Sequence, residues 1–318
     1  MNRKIFLGFA SLFLIIGLLS FGWAMSELDW DFTRLSLVKY DTAVFEINED
    51  FRDISINTSM ADIEFLPSDD GTCRIVSYER ERLTHSVSVN DGKLTVSFTD
   101  TRAWYDYISL DFNSPELKVY LPEADYGKLI LESTTGDLKI PNDFSFESVS
   151  VKLSAGDASV DANTVGKLKI ESSTGNISID GVSAGSLELT LSTGDVQISE
   201  LNCEGDISVK LSTGEISLKN TTAKNAFLES GTGDISLVGF VASEKLTAKC
   251  TTGDLMLDGS DAAEIFIKTT TGDVLGSLLS PKTFEVSVDT GKKEIPNTTG
   301  GKCEITTTTG DVTISIQP

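Results

Sequence analysis

Through the last two-thirds of the chain, apolar residues stand two apart in pairs, and the pairs themselves recur in twos. Leu168 and Ile170 are followed by Ile177 and Ile179, Leu187 and Leu189 by Val196 and Ile198, Ile207 and Val209 by Ile216 and Leu218. The residues between them are polar or charged, and this period of two predicts short strands with one buried face. No helical period of any length runs through the region. Between the two strands of each set lies Ser/Thr-Thr-Gly-Asp or a close variant. Its glycine falls at Gly136, Gly156, Gly175, Gly194, Gly214, Gly233, Gly253, Gly272, Gly291 and Gly310, in steps of 19 or 20 residues. Glycine takes positive φ without strain and Asp hydrogen-bonds local backbone, so the step predicts a turn. A second break six residues later carries Gly181, Gly239 and Gly259, followed by a small residue at Ala184, Ala223, Ala242 and Ala262.

Two strands, two corners and one small inward residue make one turn of a coil. Repetition in a single phase predicts an all-β parallel solenoid, its equivalent strands stacked about 4.8 Å apart. An antiparallel meander would also alternate, but nothing would hold it to one phase for so long.

The chain begins differently. Ile5–Met25 is free of charge and long enough to cross a bilayer as a helix. Arg3 and Lys4 precede it and Glu27, Asp29 and Asp31 follow. The asymmetry predicts a retained single-pass anchor with its N-terminus cytoplasmic and the repeats exported. The rival reading is a cleaved signal peptide ending near Gly22-Trp23-Ala24. The expected organisation is a cytoplasmic tail over 1–4, a transmembrane anchor over 5–25, a stalk over 26–42, an irregular β region over 43–126 that caps the solenoid, and regular repeats over 127–318. Within the irregular region, Asp62-Ile63-Glu64-Phe65 after Ala61 reads as a decayed first unit with alanine in place of the turn glycine. The aromatic loop Ala103-Trp104-Tyr105-Asp106-Tyr107-Ile108 reads as a plug over the solenoid end.

The anchor, the Trp104-Tyr105-Asp106 loop followed by Val119-Tyr120-Leu121-Pro122, and the Thr-Gly-Asp-Ile/Val units together resemble a family of bacterial membrane-anchored β-strand-repeat proteins known as putative adhesins. It is a domain of unknown function, and the form here is similar to the Gram-positive one. The resemblance implies an envelope location more firmly than an activity.

Charge narrows the partners. Removing Arg3 and Lys4 from 26 basic residues leaves 24 against 48 acidic ones, a net charge of −24 beyond the anchor. Such a surface repels nucleic acid and anionic headgroups. It suits divalent cations, basic partners or simple solubility. The residue after each turn glycine forms a row: Asp137, Asp157, Asn176, Asp195, Glu215, Asp234, Asp254, Asp273, Lys292 and Asp311. Stacked carboxylates repel, so Ca²⁺ at Asp195, Asp234, Asp254 and Asp273 is the metal reading. The preferred reading is an Asx-type turn without cofactor, because the glycine-rich nonapeptide of calcium-binding β-rolls is absent. A second row, Lys152, Glu171, Lys210, Glu229, Lys249 and Lys268, reads as a mixed-charge face serving solubility and edge control.

Catalytic chemistry has little support. Cys203, Cys250 and Cys303 fall at inward positions and read as buried free thiols; Cys73 has no assigned phase. The single histidine, His85, reads as a surface residue. Constant coil length leaves no inserted loops to wall the cleft that two converging carboxylates need. The expected function is therefore a non-catalytic envelope adhesin or scaffold. The alternatives are a sensor component of an envelope-stress system and, more remotely, a polysaccharide-cleaving β-helix enzyme. Possible partners are an envelope protein, a cell-wall glycan, or a second copy joined through the C-terminal edge. Gly310–Ile316 is expected to form that edge, with Lys292, Lys293, Pro296 and Gly300-Gly301 in the preceding unit discouraging pairing.

Overall fold

A computed structural model describes residues 3–30, 40–103 and 114–317, apart from the side chains of 3–6. The aromatic loop from Trp104 to Ile108 and most of the expected stalk lie outside the described residues. One helix, Arg3–Glu27, opens the chain, and its Leu7–Glu27 portion is long and apolar enough to cross a membrane. Leu12, Phe13, Leu14, Ile15, Ile16, Leu18 and Leu19 on it are all exposed. So large an uncovered apolar surface calls for a non-aqueous neighbour.

From Asp125 onward the alternation becomes two parallel sheets that share one interior. Leu168 and Ile170 lie beside Leu187 and Leu189 on one sheet. Ile177 and Ile179 lie beside Val196 and Ile198 on the other. All are buried, and the parallel register rules out the meander. The small inward residues stack in a column of their own, Ala184 on Cys203 and Ala242 on Ala262. They leave room for Val182, Leu201 and Phe240 at the adjoining corner, each buried.

The turn glycines have a stricter reason to be glycine than φ alone. Gly194 has φ +134°, and a Cβ there would stand 2.0 Å from the carbonyl oxygen of Gly175 in the coil below. The coils approach at the corner because backbone bonds run straight through it. Gly175 N–H donates to Thr193 O at 3.1 Å, and Ile177 N–H donates to Asp195 O at 2.9 Å. The second corner also turns through positive φ, at Gly181, Gly239 and Gly259 but equally at Glu200 and Asn220.

At the N-terminal end, chain order and spatial order part. Asp53–Asn57 pairs with both Lys93–Asp100 and Asp125–Thr135. Asp62–Pro67 likewise pairs with Glu116–Leu121 and Leu138–Ile140. The coil of 53–67 is therefore sandwiched between the later strands Lys93–Asp100 and Glu116–Leu121 on one side and the start of the regular stack on the other. Ala61-Asp62 lies directly under Gly136-Asp137, as a decayed first unit should. Antiparallel strands close this end: Leu83–Asn90 on Lys93–Asp100, Cys73–Arg80 on Glu116–Leu121, and Tyr40–Ile47 on Cys73–Arg80. Reversed strands interrupt the parallel stack and cover its end.

The C-terminal end corrects the expectation drawn from chain order. Gly301–Thr309 does not lie outermost; it pairs with the Ile265–Thr271 part of one neighbour and with Lys282–Thr290 on its other side. Val312–Ile316 pairs in the same way between Val274–Leu278 and Lys293–Glu294. The last unit is thus inserted, and the irregular unit of 282–295 is the outermost coil. The physical reason lies in the side chains. The exposed Lys293 of the outermost coil stands in register with the buried Val312, so the unit without a charge at that inward position takes the covered place.

Lys282 ties the inversion down. Its buried Nζ reaches across the inserted coil to Asp261 Oδ1 at 2.6 Å and Ala262 O at 2.7 Å. Gly301 lies in register with Lys282, and a Cβ there would stand 2.4 Å from Ala263 O. The Gly300-Gly301 pair, read from sequence as a break, lets the coils close up where the lysine passes.

Candidate functional site

The row after the turn glycine is a ladder of side-chain acceptors. Asp62 Oδ1 accepts the N–H of Asp137 at 2.9 Å, Asp137 that of Asp157 at 2.8 Å, and Asp157 that of Asn176 at 2.7 Å. Asn176 serves Asp195 and Asp195 serves Glu215. The series resumes with Asp234 to Asp254, Asp254 to Asp273, Asp273 to Asp311 and Asp311 to Lys292. The bond runs to the next coil rather than to the local turn, which corrects the Asx-turn reading. It also explains why Asn176 and Lys292 are tolerated: asparagine offers the same Oδ1, and Lys292, outermost, has only to donate. Glu215 is the exception, because no bond joins its longer side chain to the Asp234 N–H. Among the described residues, no group of three or more His, Cys, Asp or Glu side chains is arranged to hold a metal ion. Asp195, Asp234, Asp254 and Asp273 each direct one oxygen at backbone.

The four thiols are free and buried. Cys250 Sγ donates to Gly233 O at 3.2 Å. Desolvation raises all four thiols, Cys73 and Cys303 to about 12, so none is a nucleophile near neutrality.

His85 is not at the surface, contrary to the sequence reading; it is buried where three strands of the N-terminal cap meet. Its Nε2 is 2.8 Å from Thr58 Oγ1, and its Nδ1 is 2.9 Å from Ser77 Oγ and 3.1 Å from Glu79 Oε2. Glu79 Oε2 also accepts the His85 N–H at 2.8 Å and the Ser77 hydroxyl at 3.0 Å. A neutral ring protonated on Nδ1 satisfies this set, donating toward Glu79 and accepting from Thr58. Burial lowers the imidazole's affinity for a second proton, and the Glu79 hydrogen bond and charge partly offset that. Hydroxyl, imidazole and carboxylate follow one another as in a hydrolytic triad. The adjoining void, however, is about 10 Å³, no more than a single water. No substrate reaches Thr58, and the cluster is a polar lock within the cap. Alternation could have revealed it, since Leu83, His85 and Val87 share one strand face.

A concavity lies on the outer face of the sheet that precedes the turn glycines. It is a groove of about 650 Å³ lined by Lys210, Lys249 and Lys268, by Glu229, and by hydroxyls that include Ser192, Ser212, Thr251 and Thr270. Lys210, Glu229, Lys249 and Lys268 stand in register on successive strands. Phe227, two residues before Glu229, lies under two of the lysines, whose Nζ atoms are 5.6 and 5.2 Å from its ring centre. Sequence reading took this row for a solubility face because Phe227 and Phe266 sit in the neighbouring row and are seen to matter only once the coils are stacked.

The architecture defines the class: an all-β parallel solenoid behind one apolar helix. The profile of the family named Toastrack DUF4097 matches residues 51–208 and 203–318, and the chain belongs to that family. Comparison with curated proteins gives no match. A solved structure of a putative adhesin from Parabacteroides distasonis ATCC 8503 is similar, with 15% identity and a TM-score of 0.50 over 87% of this chain and 98% of its own. One from Parabacteroides merdae ATCC 43184, also a putative adhesin, has 17% identity and a TM-score of 0.48 over 88% and 97%. A putative lipid binding protein from Parabacteroides distasonis ATCC 8503 has 16% identity and a TM-score of 0.45 over 89% and 98%. At such identities the likeness is one of fold.

Proposed function

We propose that the chain is a non-catalytic envelope protein, held in the cell membrane by its N-terminal helix and displaying its solenoid outside as an adhesin or surface scaffold. The observation that carries this reading is that the fold itself engages the reactive side chains. The ladder aspartates bind backbone, the thiols are buried with raised affinity for their protons, and the lone histidine sits in a closed polar cluster. What remains for function is the outer face of the sheets. The helix supports anchoring by its length and exposed apolar surface. Its flanking charges, Arg3 and Lys4 before and Glu27 and Asp29 after, favour a cytoplasmic N-terminus. The adhesin name carried by the first Parabacteroides distasonis relative is in keeping with this reading.

The test is incubation of the purified protein with cell-wall polysaccharides, following both sedimentation with the polymer and release of reducing ends. Co-sedimentation without new reducing ends is the expected result. Sustained release of reducing ends would replace the reading with the polysaccharide-cleaving alternative.

A further inference from the structure

We propose that the lysine-lined groove binds a linear anionic polymer whose repeat carries hydroxyl groups. The proposal rests on the outward display argued above and names the ligand class of one displayed face.

Charge gives the first argument. Lys249 and Lys268 are neighbours in register on adjacent parallel strands, about 4.8 Å apart. Like charges so placed destabilise each other. Among the described residues, no carboxylate lies within ion-pair distance of Lys210, Lys249 or Lys268. Flanking lysines are treated differently: Lys167 and Lys169 pair with Glu188, Lys224 with Glu244, and Lys302 with Glu285 and Glu304. A groove that sets three lysines against one carboxylate, Glu229, on a chain of net charge −22 is complementary to an anion. The turn aspartates occupy the corner beyond the hydroxyl row, and at physiological salt exposed charges more than about 8 Å apart are largely screened.

Shape and lining give the second. The groove crosses five strands, from Thr190 to Thr270, so it extends about 19 Å at strand spacing. That length suits several repeats of a chain molecule better than a single small anion. Phe227 holds the ammonium groups of Lys210 and Lys249 over its ring and so limits their freedom before any ligand arrives. Beside the lysines run Ser192, Ser212, Thr251 and Thr270, hydroxyls that can donate to and accept from hydroxyls on a ligand. An acidic peptide is the poorer fit. The strands under the groove are paired on both edges, so no backbone is free for strand addition, and the lining offers no apolar pocket for peptide side chains.

The test uses the full-length chain in nanodiscs of zwitterionic lipid, titrated separately with a glycerol phosphate oligomer, polygalacturonate, polyglutamate and dextran. Binding of at least one of the first two is expected, and whichever binds identifies phosphate or carboxylate as the anionic group. Lys249→Gln combined with Lys268→Gln should weaken that binding at least tenfold. Lys152→Gln, in the same row but outside the groove, should change it less than twofold. Binding of neither polymer, equal binding by the double variant, polyglutamate bound as tightly as either, or dextran bound as tightly as either would overturn the proposal. Any of these would leave surface display standing, because display is tested independently by the sidedness of labelling in cells.

Discussion

At the scale of single residues, the turn is held by two atoms that the sequence marks unequally. The glycine was legible, because only glycine recurs at a fixed step, yet its sharper constraint, a carbonyl 2.0 Å from any Cβ at Gly194, exists only after stacking. Gly194→Val should therefore lose more than the strained φ alone would cost, at least about 3 kcal/mol, and lower the melting temperature accordingly. The aspartate was legible as a turn residue, but the sequence could not say that its acceptor role reaches into the next coil. Asp195→Ala should cost about 1 kcal/mol by orphaning the Glu215 N–H. Glu215→Asp should recover a similar amount by supplying the missing acceptor for Asp234, and chemical denaturation of the two variants checks both signs. Added Ca²⁺ should leave the melting temperature unchanged, since the ladder oxygens already serve backbone. His85 gives a pH signature. Its folded proton affinity lies below the ordinary value of 6.5, so its contribution is fully present above that pH and is lost as pH falls through and below it. The N-terminal cap should melt at progressively lower temperature from about pH 6.5 downward, and His85→Gln should flatten that slope.

At the scale of elements, the strands could be read from alternation but their neighbours could not. Units of one pattern can stack in several orders without changing which face is buried, and local sequence does not choose between them. The choice at the C-terminal end rests on long-range facts: Lys293 in register with the buried Val312, and the reach of Lys282 to Asp261 past Gly301. Cysteines placed at Thr270 and Thr308 should form a disulfide readily, since those residues are register neighbours. Cysteines at Thr270 and Asp289 should not, because two strand spacings, about 9.6 Å, exceed the reach of a disulfide. Stacking in chain order would give the opposite pattern. Lys282→Met would strand a largely buried Asp261 carboxylate, and a loss of about 3 kcal/mol is expected, with faster hydrogen exchange across 282–317.

At the scale of the whole molecule, an apolar helix precedes a rigid acidic column whose interior is closed and whose reactive groups are engaged. Periodicity made the column legible, and an unbroken apolar run made the helix legible. The lysine groove was not, because it is assembled from five coils and contrasts with the rest of the surface only in three dimensions. The central claim is display: the column stands outside the membrane on its own helix. Single cysteines at Thr308 and at Asn2 report the sidedness directly, because the four native thiols are buried and resist alkylation. In intact, wall-stripped cells, a membrane-impermeant maleimide should label Thr308→Cys at once and Asn2→Cys only after permeabilisation. Labelling of Thr308→Cys only after permeabilisation would contradict the account.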